Sequence, residues 1–225
     1  MENERNRTLS EEKLITTVSE MIEETGFEKL GINQVAKRAG LNKNLIYRYF
    51  GTLDGLICAC IEKYDFWINF PRTLPPSMEL SDFLKKMFRR QIEQLHKRPI
   101  LKRLYRWELS TNNVMIDQLR QQREETRLWL IDAVSQRIGR APKEVAAVGT
   151  IVGASIDYLA MLEDFCPAYN GIPLTQNEGW EQVFNGIDLM IDGWFGKFEN
   201  SETRTCLFKR LKRWILSFLA RRRNS

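Results

Sequence analysis

Histidine is nearly missing from this chain of 225 residues: His96 is the only one. A histidine-based catalytic triad or a His-rich metal site therefore has no material to work with. The four cysteines, Cys58, Cys60, Cys166 and Cys206, show neither metal-ligand nor thioredoxin-type spacing. Cys58 and Cys60 are two apart, so on a helix they point to different sides. Reduced, buried thiols are expected, with no metal and no cofactor. A glycine-rich nucleotide loop is also absent, as are low-complexity segments and any clear period-two strand pattern. Met1 to Glu12 is polar and charged, so no signal peptide is expected there and a cytoplasmic location is. Catalysis is not expected of such a chain.

What the sequence does hold is helical periodicity almost throughout, which predicts an all-α fold. The hydrophobic fraction of 43% and six tryptophans suit a folded protein, long enough for a small domain plus a larger core-bearing one. Charge is unevenly placed. The chain carries 34 Lys and Arg against 29 Asp and Glu, a net +5. Residues 203–225 hold eight basic and no acidic residues, so the remainder stands at 26 against 29, or −3. Within that acidic body, residues 28–50 hold five basic residues and one acidic. A local positive patch on an acidic body suits a groove binder better than a diffusely basic protein does.

The segment INQVAKRAGLNKNLIYRYF, residues 32–50, falls in that patch. Val35, Ala36 and Ala39 make one side of a first helix small and apolar, which lets another helix cross closely. Gly40 stands where a left-handed C-cap needs glycine, and Asn42 stands at the N-cap of the next helix. Ile46 and Phe50 are four apart and face the core, with Leu45 and Tyr49 beside them. Lys43, Asn44, Tyr47 and Arg48 are left outward and toward the N-terminal end of that helix. This is the shape of a helix-turn-helix reader, whose second helix meets base edges in the major groove.

These residues, Ala36-Lys37-Arg38-Ala39-Gly40 followed by Tyr47-Arg48-Tyr49-Phe50, resemble the N-terminal domain of the TetR family of bacterial repressors. The resemblance starts in the stripe Leu14, Ile15, Val18, Met21 and Ile22, closes that helix at Gly26-Phe27, and runs on through Asp54, Gly55 and Leu56. It covers about residues 8–60, roughly a quarter of the chain. Gly31 stands where the family usually has Thr, Leu45 where it has a small polar residue, and Leu53 where it has a Lys that faces phosphate. The resemblance implies a homodimer on double-stranded operator DNA and an unknown small-molecule inducer. It implies DNA contacts from Lys37, Asn42, Lys43, Asn44, Tyr47 and Arg48, with Lys37 and Tyr47 on phosphate and Lys43, Asn44 and Arg48 toward bases.

The organisation expected is a DNA-binding domain over residues 1–51, a regulatory and dimerisation domain over 52–202, and a basic amphipathic helix within 203–225. Thr8 is a candidate N-cap for the first helix, with Glu11 as its capping-box partner. Further helices are expected over 52–69, 78–97, 100–110, 114–139, from Pro142 to 165, and over 177–195, with a loop over 166–175. Gly149 and Gly153 are four apart, and Gly179, Gly186 and Gly193 are seven apart beside Met190. Such bare backbone permits close approach of another helix. In TetR relatives the last two helices of the regulatory domain pair across a dimer, so Gly149, Gly153, Gly186, Met190 and Gly193 are dimer candidates. The competing reading is close packing within one subunit.

Aromatic residues crowd the second domain: Trp67, Phe70, Phe83, Phe88, Tyr105, Trp107, Trp129, Tyr158 and Phe165. The resemblance implies that such residues line an inducer pocket, with Phe83, Tyr105, Trp107, Glu108, Trp129 and Tyr158 the candidates. Ordinary core packing is the rival reading for each one. Glu108, Asp157 and Glu163 lie on apolar helices, and a buried one of them would favour a cationic or hydrogen-bonding ligand. The helix over 206–221 alternates an apolar face with Lys209, Arg210, Lys212 and Arg213. It could dock on its own domain, lie on an anionic membrane surface, or meet a partner or the DNA backbone. The expected function is a homodimeric transcriptional regulator, a repressor released by a small molecule. The alternatives are a ligand-independent DNA-binding dimer and a regulator tethered through residues 203–225.

Overall fold

The computed structural model describes residues 2–76, 78–110 and 114–196. The helix expected over 206–221 and Cys206 lie outside them. Within them the chain is all-α apart from one small hairpin.

The first helix, α1, runs Glu2–Thr25 and starts well before the expected cap. Thr8 is an interior residue: its hydroxyl donates back to the Glu4 carbonyl at 3.1 Å, and Glu11 accepts from Arg7 Nε at 2.7 Å. Leu14, Val18, Met21 and Ile22 of α1 are buried against α2 (Ile32–Ala39) and α4 (Leu53–Tyr64). α2 ends at Gly40 in the left-handed conformation, and the Leu41 N–H closes the cap on the Ala36 carbonyl at 3.0 Å. Asn42 then caps α3 (Lys43–Phe50), its side chain accepting from the Asn44 N–H at 2.9 Å. The Thr52 hydroxyl accepts from the Gly55 N–H at 3.0 Å to begin α4. A Cβ at Gly55 would lie 2.1 Å from the Phe50 carbonyl oxygen, so only glycine lets α4 start so close to the end of α3.

α4 is shorter than the expected 52–69. Asp65 turns the backbone extended, and its carboxylate accepts from the N–H groups of Trp67 and Ile68 at 2.9 and 3.0 Å. A local side-chain acceptor has replaced the next helical turn. Beyond it come α5 (Leu80–Lys97), α6 (Pro99–Ser110), α7 (Val114–Ile138) and α8 (Pro142–Leu162). The loop expected over 166–175 holds a hairpin, β1 (Ala168–Tyr169) and β2 (Ile172–Pro173), which pair antiparallel with Ala168 opposite Pro173. Asn170 and Gly171 turn it with positive φ of 52° and 80°, the backbone of a primed hairpin turn. Strands of two residues are too short to show a period. The helix α9 (Asn177–Trp194) follows. A Cβ at Gly179 would lie 1.8 Å from the Pro173 carbonyl oxygen, so this glycine does serve close packing inside the subunit.

α5 packs on α6, α8 and α9, α7 packs on α8 and α4, and α6 packs on α8 and α1. α6 therefore touches both halves of the molecule. The core runs unbroken from Leu14 through Cys60 and Leu104 to Ile187.

Candidate DNA interface and ligand cavity

The outward side of α3 is held by what lies beneath it. Ile46 is fully buried, and Val35, Ala36 and Ala39 of α2 seat it from behind. With both helices capped and their apolar side spent, Lys37, Asn42, Lys43, Asn44, Tyr47 and Arg48 are all exposed on one surface. The Asn42 side chain is occupied by its cap. Tyr47 is 51% exposed, whereas Tyr49 is half-buried against the core. Arg38 is exposed too, but Glu24 and Glu20 of α1 hold its guanidinium, and Glu24 keeps it cationic. Arg7 was not foreseen. The early start of α1 brings its guanidinium 5.4 Å from the Tyr49 ring, adding a cation beside α3. The signal for it, a helical run upstream of Thr8, was masked by the capping-box pattern.

Two contacts stand out among those that join this reader to the second domain. Phe27 stacks flat on Trp107 of α6, with ring centroids 4.6 Å apart and planes 2° from parallel. At the far end of α4, Asp65 is fully buried and accepts from Arg123 Nε of α7 at 2.7 Å. Arg123 Nη1 also donates to both carboxylate oxygens of Glu108 of α6, at 2.7 and 2.9 Å. Its charge lies 4.8 Å from the Tyr105 ring. Arg123 thus gathers α4, α6 and α7 at one point. Burial alone would push its proton off, but Asp65 and Glu108 hold it firmly cationic.

One helical turn further along α7, Arg127 faces a cavity of about 320 Å³. Leu84, Met87, Phe88, Leu130, Val134, Val145, Val152 and Ile191 make its walls, and Trp67 stands beside the Asp65 joint. The polar side chains are few: Gln91, Asp157, Arg127, Glu124 and Thr150. Gln91 Nε2 donates to Asp157 Oδ1 at 2.9 Å, while Gln91 Oε1 is buried with no hydrogen-bond partner among the described residues. The Arg127 guanidinium rests 5.1 Å from the Trp67 ring. Burial raises the Asp157 carboxyl to about 6, against the pull of Arg127, Gln91 and Arg123. A volume of this size with sparse polar groups fits a small organic ligand.

The lining differs from the expected one. Among the described residues, none of Phe83, Tyr105, Trp107, Glu108, Trp129 and Tyr158 lines this cavity. Tyr105 and Glu108 are taken up by Arg123, and Trp107 by Phe27. Phe83 packs near Phe70, their centroids 6.4 Å apart, and Trp129 packs on the core half-buried. Tyr158 is 50% exposed beside Tyr169. Of the wider aromatic set, Trp67 and Phe88 are lining residues. Among the three acids singled out, Asp157 reaches the cavity, while Glu163 is held by His96, Lys102 and the Trp180 indole.

The dimer candidates fall on the outer sides of α8 and α9. A Cβ at Gly149, Gly153 or Gly186 would meet nothing within 4 Å, so these glycines do not serve packing inside the subunit. Gly149 and Gly153 also border the cavity, where their bare backbone leaves it room. Gly186, Met190 and Gly193 are exposed on one side of α9, next to Leu189.

Residues 14–60 match the family model described as bacterial regulatory proteins, tetR family. The N-terminal domain is of the TetR family. No curated protein matches the chain. Solved structures do resemble it. A transcriptional regulator from Rhodococcus sp. Rha1 is 18% identical over 81% of this chain and 96% of its own, with a TM-score of 0.62. A fatty acid degradation regulator, FadR, from Bacillus halodurans is 18% identical over 81% of this chain and 94% of its own, at 0.59. A tetR-family transcriptional regulator from Streptomyces coelicolor is 16% identical over 95% of this chain and 98% of its own, at 0.58. At these identities the likeness is one of fold: a TetR-type reader joined to a helical second domain.

Proposed function

We propose that the protein is a homodimeric transcriptional repressor whose α3 helices read a near-palindromic operator and whose release follows from a small molecule entering the cavity. The observation that carries this reading is the exposed polar side of α3 on the TetR-type domain, with Lys37, Lys43, Asn44, Tyr47 and Arg48 exposed and the three cations in no ion pair among the described residues. Lys43, Asn44 and Arg48 take base edges, and Lys37 and Tyr47 take phosphates. Selection from a pool of random-sequence duplexes tests it. The expected yield is a near-palindrome with half-sites about 34 Å apart or slightly more; recovery of no consensus would remove the reading.

Two copies are supported by the second domain. An 18-residue window of α8 has a mean hydropathy of 1.7, yet only 22% of it is buried within the subunit. Ile151 is 62% exposed there, and Leu189 and Met190 of α9 are about half exposed. An apolar surface of that kind is normally covered, and a second copy of the same helices covers it symmetrically. Gly186→Trp is the probe, since a Cβ there meets nothing within 4 Å in its own subunit and the position is exposed. Light scattering is expected to show the dimer reduced to a monomer, and an undisturbed dimer would count against this face.

The cavity and the reader are linked by α4, twelve residues long, or about 18 Å. Its first turn is capped next to α3, and the residue after its last turn is clamped by Arg123. Trp67, two residues on, is part of the cavity wall. A ligand that binds better to one setting of this segment shifts the population away from the DNA-competent spacing of α3. The protein so read acts on DNA in the cytoplasm and is not an enzyme.

A further inference from the structure

We propose that the cavity selects an apolar molecule with a positively charged, hydrogen-bond-donating head, a lipophilic primary or secondary amine, seated against Asp157 and Gln91. The inference rests on the reading of this cavity as the ligand site and names the class of ligand it takes.

Three features point the same way. Gln91 is 1% exposed and lines the cavity, and its Oε1 is a buried acceptor with no hydrogen-bond partner among the described residues. Its amide nitrogen is already given to Asp157, so the oxygen is the atom left over. An unpartnered buried acceptor costs about 1–3 kcal/mol, and a donor from a ligand recovers it. Asp157 then adds a carboxylate beside that acceptor. An ammonium brings several donors and no acceptor, so one head can meet both groups at once. A buried cation also needs an opposite charge, which Asp157 supplies. Finally, the cavity's ionisable groups are two carboxylates, Asp157 and Glu124, against one guanidinium, Arg127. Arg127 is already spread over the Trp67 ring and pulls on Asp157. A carboxylate ligand would lie against Asp157 and leave Gln91 Oε1 without a donor. Apart from Thr150 and the Trp67 indole N–H, unpartnered among the described residues, the remaining walls are aliphatic and aromatic, so the body of the ligand is largely apolar.

Three probes with one chain and different heads separate the possibilities: decylamine, decanol and decanoate, titrated calorimetrically into the full chain at pH 7.5 below their aggregation concentrations. Decylamine is expected to bind at least about tenfold more tightly than either of the others. In Asp157→Asn, shown folded by its melting curve, that preference is expected to vanish while decanol binding is kept. Tightest binding by decanoate would assign the head to Arg127 and overturn the proposal. Equal binding of decanol and decylamine, no binding of any probe, or an unchanged preference in Asp157→Asn would overturn it as well. Affinity for the selected duplex is read separately. Decylamine binding without loss of duplex affinity would leave the ligand class standing and remove ligand release; intact duplex binding without an amine preference would remove only the ligand class.

Discussion

Arg123 and Arg127 sit one turn apart on α7, and their surroundings are built on opposite plans. At the joint, Arg123 is met by two carboxylates and an aromatic ring, and Asp65 also collects two backbone N–H groups. At the cavity, Asp157 has one amide donor, Gln91 keeps an open acceptor, and Arg127 leans on a ring. The lesson concerns what a buried charge is for. A cluster whose charges are balanced, Arg123 against Asp65 and Glu108, fixes three helices relative to one another, and one with fewer partners leaves bonding capacity. The two stand one helical turn apart on α7, and Trp67, beside Asp65, belongs to the cavity wall.

Removing Arg123 should have the largest effect. Arg123→Leu strands Asp65 and Glu108 in the interior and should cost about 3–5 kcal/mol in denaturant unfolding. Arg127→Leu, one turn away, should cost under about 1 kcal/mol. Equal losses would erase the distinction between joint and cavity.

Asp157 should behave in the opposite sense. Its carboxyl is raised from 3.8 to about 6 by burial, against Gln91 from α5, Arg123 and Arg127 from α7, and with Asp65 at the end of α4 adding to the rise. Below pH 3.8 the group is protonated in both folded and unfolded chains and has no effect. As pH rises toward 6 the unfolded chain ionises first, so stability falls, and above 6 the deficit is constant at about 1–3 kcal/mol. Asp157→Asn should therefore stabilise the unliganded protein by that amount at pH 8, with the gain gone near pH 4. Thermal melts at the two pH values check this, and a destabilised variant at pH 8 would show Asp157 to be structural like Asp65.

A small effect belongs to the link between the halves. A double-mutant cycle on Phe27 and Trp107, each changed to Ala, should give a coupling of about 0.5–1.5 kcal/mol for their stacked rings. Additive losses would show that the stacked rings add nothing beyond the general packing of α1 on α6.

The reader was legible from sequence because each of its signals is local. The Gly40 cap, the Asn42 cap and the Val35–Ala39–Ile46 packing are set by residues within a few positions of one another. Helix boundaries failed where a polar side chain can serve either a cap or the helix itself: Thr8 bonds back inside α1, whereas Asp65 takes up backbone N–H groups and ends α4. The cavity was not legible, because its members come from four helices and the turn after α4, and aromatic content does not tell a wall from a core. Tyr105 and Glu108 looked like pocket residues until Arg123, fifteen positions from Glu108, claimed both. Gly179 looked like Gly186 in spacing, yet the first backs onto Pro173 and the second faces open space. Only the fold separates the two.

The most direct test of the account is a pair of fluorescence-anisotropy titrations on the selected duplex, with Arg48→Ala and Arg38→Ala. Arg48 is exposed on α3, whereas Arg38 is held by Glu24 and Glu20. The account predicts a loss of about 1–3 kcal/mol for Arg48→Ala and a much smaller one for Arg38→Ala. Wild-type affinity in Arg48→Ala would contradict the assignment of α3 as the helix that reads DNA.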